Sequence, residues 1–199
     1  ETVSNIEMGH IFEELIRRFS EHAEAGDHYT PREVIKLMVH LLFIEDMEIL
    51  TQPGITQTLY DCCAGTGGMG SVAKDYLTKH NPSAELIFFG QEINEESYAI
   101  CKADILIKGD EAKNIAFGNT LSHDAFPDLK FDYLITNPPY GVEWKPAEDA
   151  VKDEHEKLGM SGRFGAGLPR ISDGQLLFLQ HLRSEERRVG KECRSRWSP

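Results

Sequence analysis

The chain has 199 residues, 40% of them hydrophobic, and a formal net charge of −12. This length and apolar content allow one buried domain core with a helical annex; no apolar run reaches membrane-spanning length, and the first residues do not read as a signal peptide. The acidity argues against a chain that grips DNA by itself, and Cys62, Cys63, Cys101 and Cys193 lack C-x-x-C spacing, which points to a reducing cytoplasm and to neither a disulfide framework nor a zinc or other metal site.

Ile6 to Ala23 sets Ile11, Phe12, Leu15, Ile16 and Phe19 at helical spacing and predicts a helix. Gly26 to Thr30 is a loop. Thr30 as N-cap and Pro31 as N1 then start a second helix, Arg32 to Phe43, with Glu33 suiting its positive end. Leu59 to Cys62 is a short strand, Gly65 to Gly70 a glycine turn, and a helix follows to about Lys79. Leu86 to Gly90 is a strand, Glu95 to Ile107 a helix, Ile115 to Phe117 a weak strand and Phe131 to Thr136 a strong one. Strand, turn, helix and strand in this order predict an α/β fold with a doubly wound parallel sheet, preceded by helices. Glu143 to Arg170 is polar and glycine-rich and reads as a mobile loop, and Gln175 to Leu182 begins another helix.

Arg183 to Pro199, RSEERRVGKECRSRWSP, carries six Lys or Arg against three Glu and no apolar period. It looks like the translation of a common sequencing-adapter oligonucleotide, so it is expected to be a non-native, disordered tail; a natural basic tail is the alternative. On that reading the natural product continues past Leu182, and the opening Glu1 suggests a missing start. The expected organisation is a helical segment over 1–50, a sheet-bearing domain over 51–182 and the tail over 183–199.

Two stretches carry chemistry. The strong strand runs into Asn137, Pro138, Pro139 and Tyr140, at the end where ligands bind in open α/β sheets. The Asn137 oxygen and the Pro138 carbonyl suit the two hydrogens of an exocyclic amine, and Tyr140 can stack on a flat ring. Gly65-Thr66-Gly67-Gly68-Met69-Gly70 matches the G-x-G-x-x-G dinucleotide fingerprint literally, with Glu92 about twenty residues on. Read alone this says NAD-dependent oxidoreductase. The turn equally fits S-adenosylmethionine, and Asp61 before it would repel a pyrophosphate but hold a cationic amino-acid end.

DCCAGTGG (Asp61 to Gly68), GQEIN (Gly90 to Asn94), GNTL (Gly118 to Leu121) and the Asn137–Tyr140 motif occur in an order that resembles amino-group DNA methyltransferases. Upstream, GDHYTPRE (Gly26 to Glu33) resembles the cofactor-contacting segment of the modification subunit of type I restriction-modification systems. Phe12-Glu13-Glu14-Leu15, Gly167 to Arg170 and Ser172 to Gly174 add to the likeness, which covers nearly all of residues 6 to 182. Cys62 departs from the usual Pro, Gly70 from a larger apolar residue and Asn119 from a frequent Asp, which makes the dinucleotide match look like an accident of Gly70.

The resemblance implies a Rossmann-like S-adenosylmethionine-dependent methyltransferase sheet, incomplete here, that methylates adenine N6 in DNA. It implies Asn137, Pro138, Pro139 and Tyr140 as catalytic residues acting on a flipped adenine. Asp27, His28, Tyr29, Thr30, Pro31, Arg32, Asp61, Gly65, Thr66, Gly67, Gly68, Glu92 and Asn119 would bind the cofactor, and separate specificity and restriction subunits would be partners. Alternatives stay open: a methyltransferase acting on a glutamine amide or RNA guanine, a nuclease built on Pro127-Asp128 and Glu143-Trp144-Lys145, or a scaffold in a complex.

Overall fold

The computed structural model describes residues 30–44 and 46–185, together with Met8, Ile11 and Glu14. Those three are helical; the rest of the helix expected over Ile6 to Ala23, the loop through Tyr29 and the tail beyond Glu185 lie outside the described residues.

Four parallel strands form one sheet in the order β3-β2-β1-β4: β1 Thr56–Asp61, β2 Glu85–Glu92, β3 Ile115–Phe117 and β4 Tyr133–Leu134. Side chains alternate between the faces. Leu59, Phe88 and Tyr133 join one apolar cluster, whereas their neighbours Tyr60, Phe89 and Leu134 join the other. The first cluster is covered by α1 (Arg32–Phe43), α2 (Met47–Thr51), α3 (Gly68–His80) and α4 (Glu95–Ile107), through residues such as Val39, Ile49, Val72 and Cys101. The second is covered by α5 (Glu148–Leu158) and α6 (Gln175–Glu185), through Val151 and Leu177. The sheet is therefore doubly covered, as predicted. Among the described residues no helix is long and apolar enough to cross a membrane.

Five local readings change. The N-cap of α1 is Pro31 rather than Thr30, one residue later than expected. Helix α2 escaped the periodicity because it has five residues; Asp46 caps it by accepting from the Glu48 and Ile49 amides at 3.2 and 3.4 Å. The strong strand over Phe131 to Thr136 is in fact the short edge strand β4. The Phe131 amide donates to the Glu185 carbonyl at 2.9 Å, and the Asp132 carboxylate accepts from the Thr58 amide and hydroxyl at 2.9 and 2.8 Å. At its start the pairing thus goes to the Glu185 backbone and the Asp132 side chain instead of a longer ladder. Far from being a loop throughout, 143–170 holds α5 between the short 3-10 turns Lys145–Ala147 and Gly159–Ser161. Finally, α6 continues to Glu185, three residues into the segment set apart as tail, and Glu185 is buried.

Gly70 has a physical reason to be glycine. A Cβ there would meet the Phe88 ring at 2.5 Å. The glycine lets α3 lie close on β2, which is what the third glycine of the dinucleotide motif also does, and its presence carries no information about a pyrophosphate. Gly70→Ala should cost about 1–3 kcal/mol by overpacking, despite the roughly 1 kcal/mol that Ala gains in a helix. Chemical denaturation checks this; an unchanged midpoint would mean that the ring moves freely aside.

Candidate functional site

Because the strands are parallel, their carboxyl ends and the loops that follow gather on one side of the sheet. There they enclose a cavity of about 700 Å³. The turn after β1 contributes Asp61 to Thr66 and Gly68. The end of β2 contributes Glu92, the loop after β3 contributes Gly118 to Leu121, and the loop after β4 contributes Asn137 to Tyr140. Val142 to Trp144, Pro146, Ala147, Gly174 and Phe178 form a further wall.

The glycine turn is tight because Gly65 and Gly67 adopt positive φ, 53° and 85°. A side chain at Gly67 would also press to within 2.9 Å of the Cys101 sulfur. Glu92 braces this turn from β2: one carboxylate oxygen accepts from the Gly65 amide and the other from the Asn94 amide, both at 2.7 Å. Each oxygen keeps a further lone pair. Asp61 accepts from the Cys63 amide at 3.0 Å and the Thr136 hydroxyl at 2.6 Å.

Asp61 is fully buried, and burial pushes its pKa up to about 7, aided by the charge of Glu92; the bonds from Thr136 and Cys63 pull the other way. A folded pKa above the unfolded 3.8 means that the group's contribution to stability is complete below pH 4 and is lost as pH rises through 7. Asp61→Asn keeps the shape and the acceptor oxygen. Relative to the parent, it should gain stability between pH 4 and pH 8 by an amount on the order of 3–4 kcal/mol. Melting both proteins across that range checks the sign; a constant difference would refute the shift.

Asn119 turns its side-chain oxygen onto the Leu121 amide at 2.9 Å, which leaves its NH₂ donors as the groups it can offer a ligand. Asn137 donates from Nδ2 to the Thr30 hydroxyl at 3.0 Å, so its oxygen remains as the acceptor on this wall. That bond joins two motifs 107 residues apart. Tyr140 stands at the rim with 71% of its surface exposed.

Of the expected site residues, Thr30, Asp61, Gly65, Thr66, Gly68, Glu92, Asn119 and Asn137 to Tyr140 line the cavity. Pro31, Arg32 and Gly67 do not: Pro31 caps α1, Arg32 pairs with Asp75 at 3.5 Å, and Gly67 caps α3. Asp27, His28 and Tyr29 lie outside the described residues. Sequence reasoning missed Thr136, which holds Asp61, and Trp144, a buried wall whose indole donates to the Arg170 carbonyl at 2.8 Å. An aromatic between Glu143 and a Lys-Pro turn was the available signal for Trp144. The nuclease reading lacks its geometry, since Glu143 and Lys145 sit in an exposed loop and 3-10 turn, not on a strand. Asp124, His181 and Glu185 bring ligand-type atoms within 4.8 Å of one another, but Lys130 pairs with Glu185 and the Arg163 guanidinium faces His181. Those cations disfavour a metal ion.

The N-6 DNA Methylase family profile matches residues 4–193. The type I restriction enzyme MjaVII methylase subunit of Methanocaldococcus jannaschii is 30% identical over 164 residues, spanning 80% of this chain and 26% of that protein. The MjaIX methylase subunit of the same organism is 28% identical over 156 residues, 76% of this chain and 26% of that protein. Among solved structures, the type I restriction-modification methyltransferase subunit of Streptococcus thermophilus superposes with a TM-score of 0.70 at 27% identity, covering 90% of this chain and 36% of that one. The chain thus spans about a quarter of the length of these curated relatives.

Proposed function

The chain belongs to the N-6 DNA methylase family, and on that premise we propose that it is the catalytic part of an adenine-specific DNA methyltransferase, within the modification subunit of a type I restriction-modification complex. The observation that carries this reading is that one cavity holds both the Asp61–Glu92 acid pair and the Asn137–Tyr140 loop. A methyl donor and a methyl acceptor can therefore meet there.

The residues present fit S-adenosylmethionine. Asp61 lies buried beside the turn, where it can face a cationic amino-acid end, and the spare lone pairs of Glu92 can take ribose hydroxyls. The Asn119 NH₂ can reach a ring nitrogen of the adenine. The bound cofactor would supply an electrophilic methyl group on a sulfonium. A pyrophosphate would instead meet Asp61, which disfavours the dinucleotide alternative.

On the acceptor side, the Asn137 oxygen and the Pro138 carbonyl take the two hydrogens of adenine N6. Those bonds withdraw the nitrogen lone pair from the ring, favour a tetrahedral nitrogen and stabilise the charge that develops on it. These two oxygens accept hydrogen bonds and do not take the proton; the methylated nitrogen is cationic and strongly acidic, so its extra proton passes to water. Tyr140 stacks on the base once it has left the duplex, and buried Trp144 helps to keep water from that wall. The net charge of −12 fits a subunit that relies on a separate specificity subunit to hold DNA and read its sequence, with a restriction subunit completing the assembly.

The test is tritiated methyl transfer by the complete protein with its specificity subunit, followed by identification of the methylated base. N6-methyladenine is the expected product. Methyl on an RNA guanine or a glutamine amide, or nicotinamide turnover without methylation, would replace this reading.

A further inference from the structure

The segment over 148–163 is polar, and Val151 is the one buried residue of α5. Two charge pairs along the helix, Glu148–Lys152 and Asp153–Lys157, are exposed to solvent and hold it only weakly. Besides its start at the wall residue Ala147, this segment reaches the cavity loop through the Arg163 side chain, whose surface is 12% exposed.

Its guanidinium uses its donors in three directions. Nε and Nη2 grip both oxygens of Glu154 at 2.6–3.1 Å, and the Glu154 carboxylate also accepts from the Arg163 amide at 2.7 Å. Nη1 donates to the Thr120 carbonyl at 2.7 Å and Nη2 to the Leu121 carbonyl at 3.3 Å. Nη1 also lies 3.4 Å from Nδ1 of His181. His181 is buried and neutral, with its pKa lowered to about 3 by burial and by the charges of Arg163 and Lys130. Nδ1 therefore accepts, and Nε2–H donates to the Tyr60 hydroxyl at 3.1 Å.

The two carbonyls belong to the cavity wall. Thr120 and Leu121 follow Asn119, Leu121 donates the amide that orients the Asn119 side chain, and the Thr120 hydroxyl ties the same loop to the Cys62 carbonyl at 2.6 Å. The loop is anchored on the apolar side by buried Leu121, and the charged fork fixes its backbone carbonyls. We propose that Arg163 is a positioning residue for the cofactor: by clamping the Thr120 and Leu121 carbonyls it sets the Asn119 wall, so that docking of the 148–163 segment and cofactor affinity are coupled. This rests on the reading of the cavity as an S-adenosylmethionine site.

The experiment compares the complete parent protein with Arg163→Ala, Arg163→Lys and Glu154→Gln, using calorimetric binding of S-adenosylmethionine and steady-state methyl transfer. Loss of these charge-assisted bonds should raise the cofactor Kd and KM in Arg163→Ala by about tenfold or more. The rate at saturating cofactor should stay within roughly threefold, since Arg163 does not touch the reacting atoms. Lysine can reach one carbonyl but not both, so Arg163→Lys should fall between. A natively folded Arg163→Ala with the parent Kd overturns the proposal, as does a loss in kcat with KM unchanged. Should Arg163→Ala not fold, the lysine and glutamine variants decide, and parent affinity in both overturns it. A parent protein that binds no S-adenosylmethionine overturns the functional reading itself, and the inference falls with it.

Discussion

Asn137→Ala should lower the methyl-transfer rate of the complete protein by about 10² or more, the scale of losing one aligned transition-state hydrogen bond. Its affinity for S-adenosylmethionine should change by only a small factor. The expectation comes from where the side chain is held. Nδ2 is already committed to the Thr30 hydroxyl, which fixes the amide and leaves its oxygen as the group that can accept a hydrogen bond from an amine. That bond to the amine strengthens as the nitrogen becomes positive, so its removal falls on the rate and not on ground-state binding. The acids proposed to face the cofactor, Asp61 and Glu92, are held by bonds from Cys63, Thr136, Gly65 and Asn94, none of which involves Asn137. Single-turnover transfer of a tritiated methyl group, with cofactor binding measured in parallel, separates the two quantities. Transfer at the parent rate would remove Asn137 from the mechanism. A parallel collapse of cofactor affinity would make it a structural residue of the Thr30 contact instead.

The parts of this fold that could be read from sequence are those whose cause is local. Helix α4 follows the predicted bounds, Glu95 to Ile107, because Asn94 caps it through the Ser97 amide at 2.9 Å and buried positions recur along it. Strand β2 was visible because both its faces are covered, which makes Leu86 to Phe89 a continuous apolar run, whereas β1 showed only at its buried end, Leu59 and Tyr60, because Thr56 to Thr58 are polar. The four cavity loops were visible because each follows a strand and carries its own motif. Other parts depend on partners distant in the chain. The length of β4 is set by Thr58 and by Glu185, and no feature of residues 131–136 announces either. Helix α5 has too little apolar period to be recognised, since it packs through the single buried Val151 and is otherwise held by polar contacts such as Glu154 with Arg163. Thr136 reads as the last residue of a strand until β1 and β4 are paired and its hydroxyl meets Asp61. Gly70 reads as chance until Phe88 is placed against it.

At Tyr140 the prediction separates the ring from the hydroxyl. The side chain stands at the cavity rim, largely exposed, immediately after two prolines that stiffen its loop. A large aromatic surface left to solvent there has little to do for the fold, because it belongs to neither apolar cluster. On the proposed function it would cover a flat ring held by Asn137 and Pro138. Stacking of a base on an aromatic face contributes roughly 1–3 kcal/mol, so Tyr140→Ala should reduce kcat/KM for DNA by about 5- to 150-fold. Tyr140→Phe keeps the face and should stay within a factor of about three of the parent. Both variants should melt with the parent and bind S-adenosylmethionine as it does, since the residue packs in neither cluster. A DNA containing an unpaired or mismatched target adenine sharpens the test: it lowers the cost of extruding the base and should narrow the gap between the Ala variant and the parent. Parent-like activity of Tyr140→Ala would end the stacking role. A defect of the Phe variant as large as that of Ala would shift the role to the hydroxyl.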